Sequence, residues 1–154
     1  MERRNRLLAL HRLAGVAAFA TIVFFMVRTA LAEASGDLAE VAAAKATIVV
    51  LLPLLIVAAI AAGVTGRRLA AGRPAGHTAG KLLRMKLIGA NGLLVLVPAA
   101  LFLDHAAGLA EIDVGFAVVQ AIEFIAGAAN IVLFAMQTRD GLRLAGRLPR
   151  TPID

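Results

Sequence analysis

An all-α, integral membrane, antiparallel four-helix bundle is the fold class this sequence predicts, and three observations predict it. The 154 residues are 60% hydrophobic with a mean hydropathy of +0.86 and 17% charged residues, against about 45–50% apolar and about 25% charged in a soluble domain. The apolar residues collect in four blocks of bilayer-crossing length. The basic residues gather beside alternate ends of those blocks. A soluble fold of this size has no interior large enough to hide such runs. The absence of cysteine removes thiol chemistry, disulfide staples and cysteine-ligated metal.

A helical span needs about 20 mostly apolar residues. Leu13 to Ala32 supplies the first, interrupted near its end by Arg28. Ala46 to Val64 is the second and carries no charge. Leu87 to Leu103 is the third, a little short and extended if Lys86 snorkels. Val114 to Met136 is the fourth, with Glu123 inside it. Residues 1–154 thus read as a single membrane domain with spans at 13–32, 46–64, 87–103 and 114–136 and a connector at 65–86. Closed barrels alternate over strands of about ten residues, and these blocks do not. Pro53 and Pro98 each remove a backbone hydrogen bond and are expected to kink their helices.

Charge sets the orientation. Arg3, Arg4, Arg6 and Arg12 precede the first span. Arg67, Arg68, Arg73, Lys81, Arg84 and Lys86 lie between the second and third, and Arg139, Arg143, Arg147 and Arg150 follow the fourth. Fourteen of the sixteen basic residues therefore share one side. The other two loops carry Glu33, Asp37, Glu40, Asp104, Glu111 and Asp113. The positive-inside rule makes the basic side cytoplasmic, with both termini there, and the composition points to a bacterial inner membrane. Arg67, Arg68, Arg73, Lys81, Arg84 and Lys86 are the candidate contacts to anionic lipid headgroups. Nucleic acid is not an expected partner, because no aromatic stacking residues accompany the basic clusters. Arg3–Arg6, the apolar stretch to Val27 and Ala30-Leu31-Ala32 also resemble a cleavable signal peptide, but Arg28 sits between stretch and site, and the segment is read as a retained span.

The two halves look related. Arg12-Leu13-x-Gly15 recurs as Lys86-Leu87-x-Gly89, and Leu38-Ala39-Glu40 as Leu109-Ala110-Glu111. Arg68-Leu69-Ala70-Ala71-Gly72-Arg73 recurs as Arg143-Leu144-Ala145-Gly146-Arg147. Two related helical hairpins would be joined by the connector at 65–86, with an axis along the membrane normal. The competing reading is shared composition at basic, alanine-rich helix ends.

The candidate site is intramembrane and polar: Glu123, Gln120, Asn130, Asn91, Lys45 and Arg28. Glu123 lies nine residues into its span, about 13 Å deep at about 1.5 Å per residue, where an ionised carboxylate must be neutralised or paired. Lys45 and Arg28 are the candidate cations, and both could instead reach the acidic end. Gln120, Glu123, Gly127, Asn130 and Gln137 fall at helical spacing on one stripe, which must face the bundle interior. Asn91 has the depth to bond Asn130, and Thr21 with Arg28 would form a matching stripe on the first helix. Polar glue between helices and a protonatable path are the two readings of this stripe.

His11, His77 and His105 lie at or beyond the span ends. His11 with Met85 or Met136 is the only pairing suited to a haem. No cofactor, metal site or catalytic residue is assigned, and no nucleotide, zinc-helix or nucleophile-elbow motif stands at a usable position. Three functions follow in order. The first is a non-catalytic accessory or assembly component working with a membrane-protein partner or as a homodimer. The second is a small-solute or ion transporter using Glu123, and the third a haem- or quinone-linked redox protein.

Overall fold

A computed structural model describes residues 2–71 and 75–144, without side chains at 75–79 and 144. Its elements are α1 (Glu2–Ser35), α2 (Leu38–Ala70), α3 (Ala75–Asn91), a π-helical turn (Gly92–Leu96), α4 (Val97–Gly108) and α5 (Val114–Leu144). α3, the π turn and α4 form one rod, so four rods are present, each with a stretch long and apolar enough to cross a membrane. No strand occurs among the described residues.

The helices outrun the apolar spans. α1 begins at Glu2, well before Leu13, and helical backbone occupies 65–70 and 75–86, which the sequence reading gave to a connector. Alanine and the arginines of these flanks are good helix formers, and no proline falls at 65–70 or 75–86. Gly72, Arg73 and Pro74 lie outside the described residues, as do Arg147 and Arg150. The third pair of repeated motifs lies partly there too.

At the acidic end the turns are short and capped. Gly36, with φ +69°, closes α1, and Asp37 caps α2 by accepting from the Ala39 amide at 2.8 Å. Asp113 caps α5, its Oδ1 accepting from the Phe116 amide at 2.9 Å. Ala110 sits at φ 57°, a left-handed position without the freedom of glycine.

The rods form a ring: α1 packs on α2 and α5, and α4 on α2 and α5. α2 and α5 are thus diagonal to each other, and their backbones do not meet. At the acidic end Ala32, Val41, Ala44, Leu103, Ala106, Ala107 and Phe116 close into a buried apolar cluster. Pro53 is accommodated within a continuous α2. Pro98 stands two residues after the π turn, which the Val97 amide closes by bonding the Gly92 carbonyl five residues back. A proline has no N–H for the carbonyl four residues earlier and crowds it, and the wider turn is where the third rod absorbs this conflict.

Candidate functional site

Lys45 points into the bundle one residue beyond Ala44 of the apolar cluster. Its side chain is 1% exposed, and Nζ donates to Glu123 Oε2 at 2.8 Å. Because α2 and α5 are diagonal, this ion pair crosses the bundle interior. Glu123 Oε2 also accepts from Gln120 Nε2 at 3.1 Å, one turn earlier on α5. Gln120 is buried, and its Oε1 has no hydrogen-bond partner. A carboxylate and an ammonium brought together this deep satisfy each other's charge, while each alone would carry a desolvation penalty of several kcal/mol, on the order of that for any buried ion.

Of the two candidate cations, only Lys45 reaches Glu123. Arg28 turns outward and bonds Glu40 Oε2 at 3.0 Å, joining α1 to α2 at the acidic end. Thr21 donates to the carbonyl of Ala17 in its own helix at 2.8 Å and Arg28 bonds Glu40, so the polar groups of the Thr21–Arg28 pair are engaged away from Glu123. Arg28 and Lys45 each stand seven residues from the acidic end of their helix, so depth does not separate them; Arg28 lies on a face from which its long side chain reaches the polar boundary.

Seven residues further along α5, a second polar layer is formed by Asn130 and Asn91. Asn91 Nδ2 donates to Asn130 Oδ1 at 2.9 Å and to the Ala126 carbonyl at 2.8 Å. Asn91 is the last residue before the π turn, so this bond ties the irregular segment to α5. Seven residues on again, Gln137 donates to the Lys81 carbonyl at 3.1 Å, Arg84 Nε donates to Gln137 Oε1 at 3.5 Å, and Arg84 pairs with Asp140. The stripe predicted on α5 thus meets α2, the third rod and, at Gly127, α1. A Cβ at Gly127 would stand 2.8 Å from Met26 Sδ.

Between the first two layers is a cavity of ≈ 50 Å³ touched by all four rods. Ile22, Phe25, Met26, Ile48, Leu52, Leu55, Leu96, Ala100 and Phe124 give it apolar walls, with Thr29 and Glu123 as its polar groups. Between the second and third layers Phe19 and Phe134 meet with ring centroids 6.2 Å apart.

The basic residues read as headgroup contacts divide. Arg67, Arg68 and Lys86 are exposed. Arg84 is engaged inside the protein by Asp140 and Gln137, and Lys81 is half-buried with its carbonyl bonded to Gln137. Arg73 lies outside the described residues, as does the side chain of His77. His11 Nδ1 lies 3.1 Å from both the Ala62 carbonyl and Thr65 Oγ1, tying α1 to α2. The sequence gives no pattern by which to find Thr65, a buried threonine one turn before Arg68.

No group of three or more potential metal ligands occurs among the described residues. Comparison of the chain with protein-family models, with curated proteins and with solved structures finds no match.

Proposed function

We propose that this chain is a non-catalytic accessory or assembly protein of a bacterial inner membrane, with both termini cytoplasmic and its buried polar layers fixing how four helices pack. One observation carries the reading: Lys45, 1% exposed, is held by Glu123 across the bundle diagonal. The apolar cluster lies beside this pair toward the acidic end. On the other side are an apolar-walled cavity, the Asn91–Asn130 layer whose amides bond each other, and then the Phe19–Phe134 contact. A site built to pass solute needs polar groups along a hydrated route, whereas this arrangement supports registry between helices. Exposed Arg67, Arg68 and Lys86 suit anionic headgroups, and the partner would be another membrane protein or a second copy.

The second reading is transport through Glu123, favoured by that residue's 13% exposure and its place in the cavity wall. Reconstituted vesicles separate the two. The accessory reading expects no proton or solute flux in either the native protein or Glu123→Gln, together with a membrane protein or second copy retained through gentle purification. A stable monomer with saturable flux that Glu123→Gln abolishes would overturn it.

A further inference from the structure

The hydrogen-bonding capacity of the Lys45–Glu123–Gln120 cluster is only partly used. An ammonium has three N–H donors, and among the described residues Lys45 Nζ has one acceptor, Glu123 Oε2. Gln120, 6% exposed, leaves its Oε1 without a donor. Rotating the Gln120 amide by half a turn would not repair this. It would set the amide oxygen against Glu123 Oε2, which only accepts when ionised, so Glu123 fixes which way the amide points. The cluster therefore holds donors on one member and an acceptor on another that do not meet. Buried polar atoms left in this way are rare in native proteins.

We propose that the cluster binds one small neutral hydroxyl, which accepts from Lys45 Nζ and donates to Gln120 Oε1. A hydroxyl is the smallest group that does both. A cation would meet Lys45 and an anion would meet Glu123, and either would unbalance a neutral pair. Two sources share this chemistry. Water is one, since buried waters make about three hydrogen bonds to otherwise unsatisfied groups. A short alkanol dissolved in the bilayer is the other: the neighbouring apolar-walled cavity, which Glu123 lines and Lys45 and Gln120 do not, would take its stem past Glu123. The ≈ 50 Å³ available admits a few heavy atoms and excludes a lipid headgroup. This site stands on hydrogen-bond capacity and needs no accessory role.

The composition makes the test clean, because the chain has two glutamines, Gln120 and Gln137, and three lysines. Protein labelled with ¹⁵N at glutamine, in detergent micelles, gives two side-chain amide pairs, assigned with Gln137→Glu. The expected result is a cross-relaxation signal from long-lived water to the Gln120 amide, lost in Lys45→Met while the Gln137 signal persists. Titration with 1-propanol then separates the sources. A saturable shift of the Gln120 amide with loss of the water signal assigns the site to an alkanol, and an unchanged spectrum assigns it to water. Neither a water signal nor a propanol shift at Gln120, in protein whose Gln137 amide is well dispersed, would overturn the proposal.

Discussion

Replacing Lys45 by methionine removes the charge but keeps most of the side-chain volume, so the change isolates the ion pair from packing. The magnitude follows from exposure. Were the pair at the surface, its loss would cost about 0–1 kcal/mol. With Lys45 1% and Glu123 13% exposed, the buried limit applies, and removing one partner costs about 3–5 kcal/mol because the other charge is stranded. The double variant Lys45→Met/Glu123→Met strands nothing and should lie within about 1 kcal/mol of the native protein, or above it. A coupling of at least about 2 kcal/mol between the sites is therefore expected. The chain has no cysteine, tryptophan or tyrosine, so unfolding in SDS mixed micelles is followed by energy transfer between dyes on cysteines placed at the ends of α2 and α5. If Lys45→Met costs less than about 1 kcal/mol, or if the two substitutions add without coupling, the pair does not lock the diagonal.

Other expectations are smaller and separable in the same unfolding assay. Gly127→Leu drives a side chain into Met26 Sδ and should lose about 1–3 kcal/mol, part of which Met26→Ala restores. Ala110→Gly, at φ 57°, should gain on the order of 1 kcal/mol by relieving left-handed strain; a loss would mean the turn tolerates alanine without strain. Arg84→Ala should destabilise while Lys86→Ala stays within about 0.5 kcal/mol, because Arg84 pairs with Asp140 and Gln137 and Lys86 is exposed. Asn91→Leu should cost about 0.6–2 kcal/mol through its bonds to Asn130 and Ala126.

Much of this is legible in the amino-acid sequence. Helical periodicity alone put Gln120, Glu123, Asn130 and Gln137 on one interior stripe, because lipid admits no other place for so many amides and a carboxylate. Depth matched Asn91 to Asn130. The choice between Lys45 and Arg28 was not legible, since both stand about one turn inside the acidic end and differ only in which way their helix face turns, a property of packing. The diagonal arrangement of α2 and α5 is likewise a consequence of ring order. Pro98 announced a disturbed helix, but not that a π turn would begin at Gly92 and carry Asn91 into contact with α5. Arg84 reads as a headgroup contact because its partner, Asp140, is a single acid set among Arg139, Arg143, Arg147 and Arg150. The acids Asp37 and Asp113 bear on orientation, yet their spacing before α2 and α5 is also that of helix caps.

Four crossings with both basic tails on one side underlie every functional statement above, and cysteine accessibility tests this most directly. In a chain without native cysteine, single substitutions Asn5→Cys, Ala71→Cys and Thr138→Cys mark the three basic segments, and Ala34→Cys and Glu111→Cys the two acidic ends. An impermeant maleimide applied to intact bacterial cells is expected to label positions 34 and 111, and positions 5, 71 and 138 only after permeabilisation. Labelling of position 5, 71 or 138 in intact cells would contradict it.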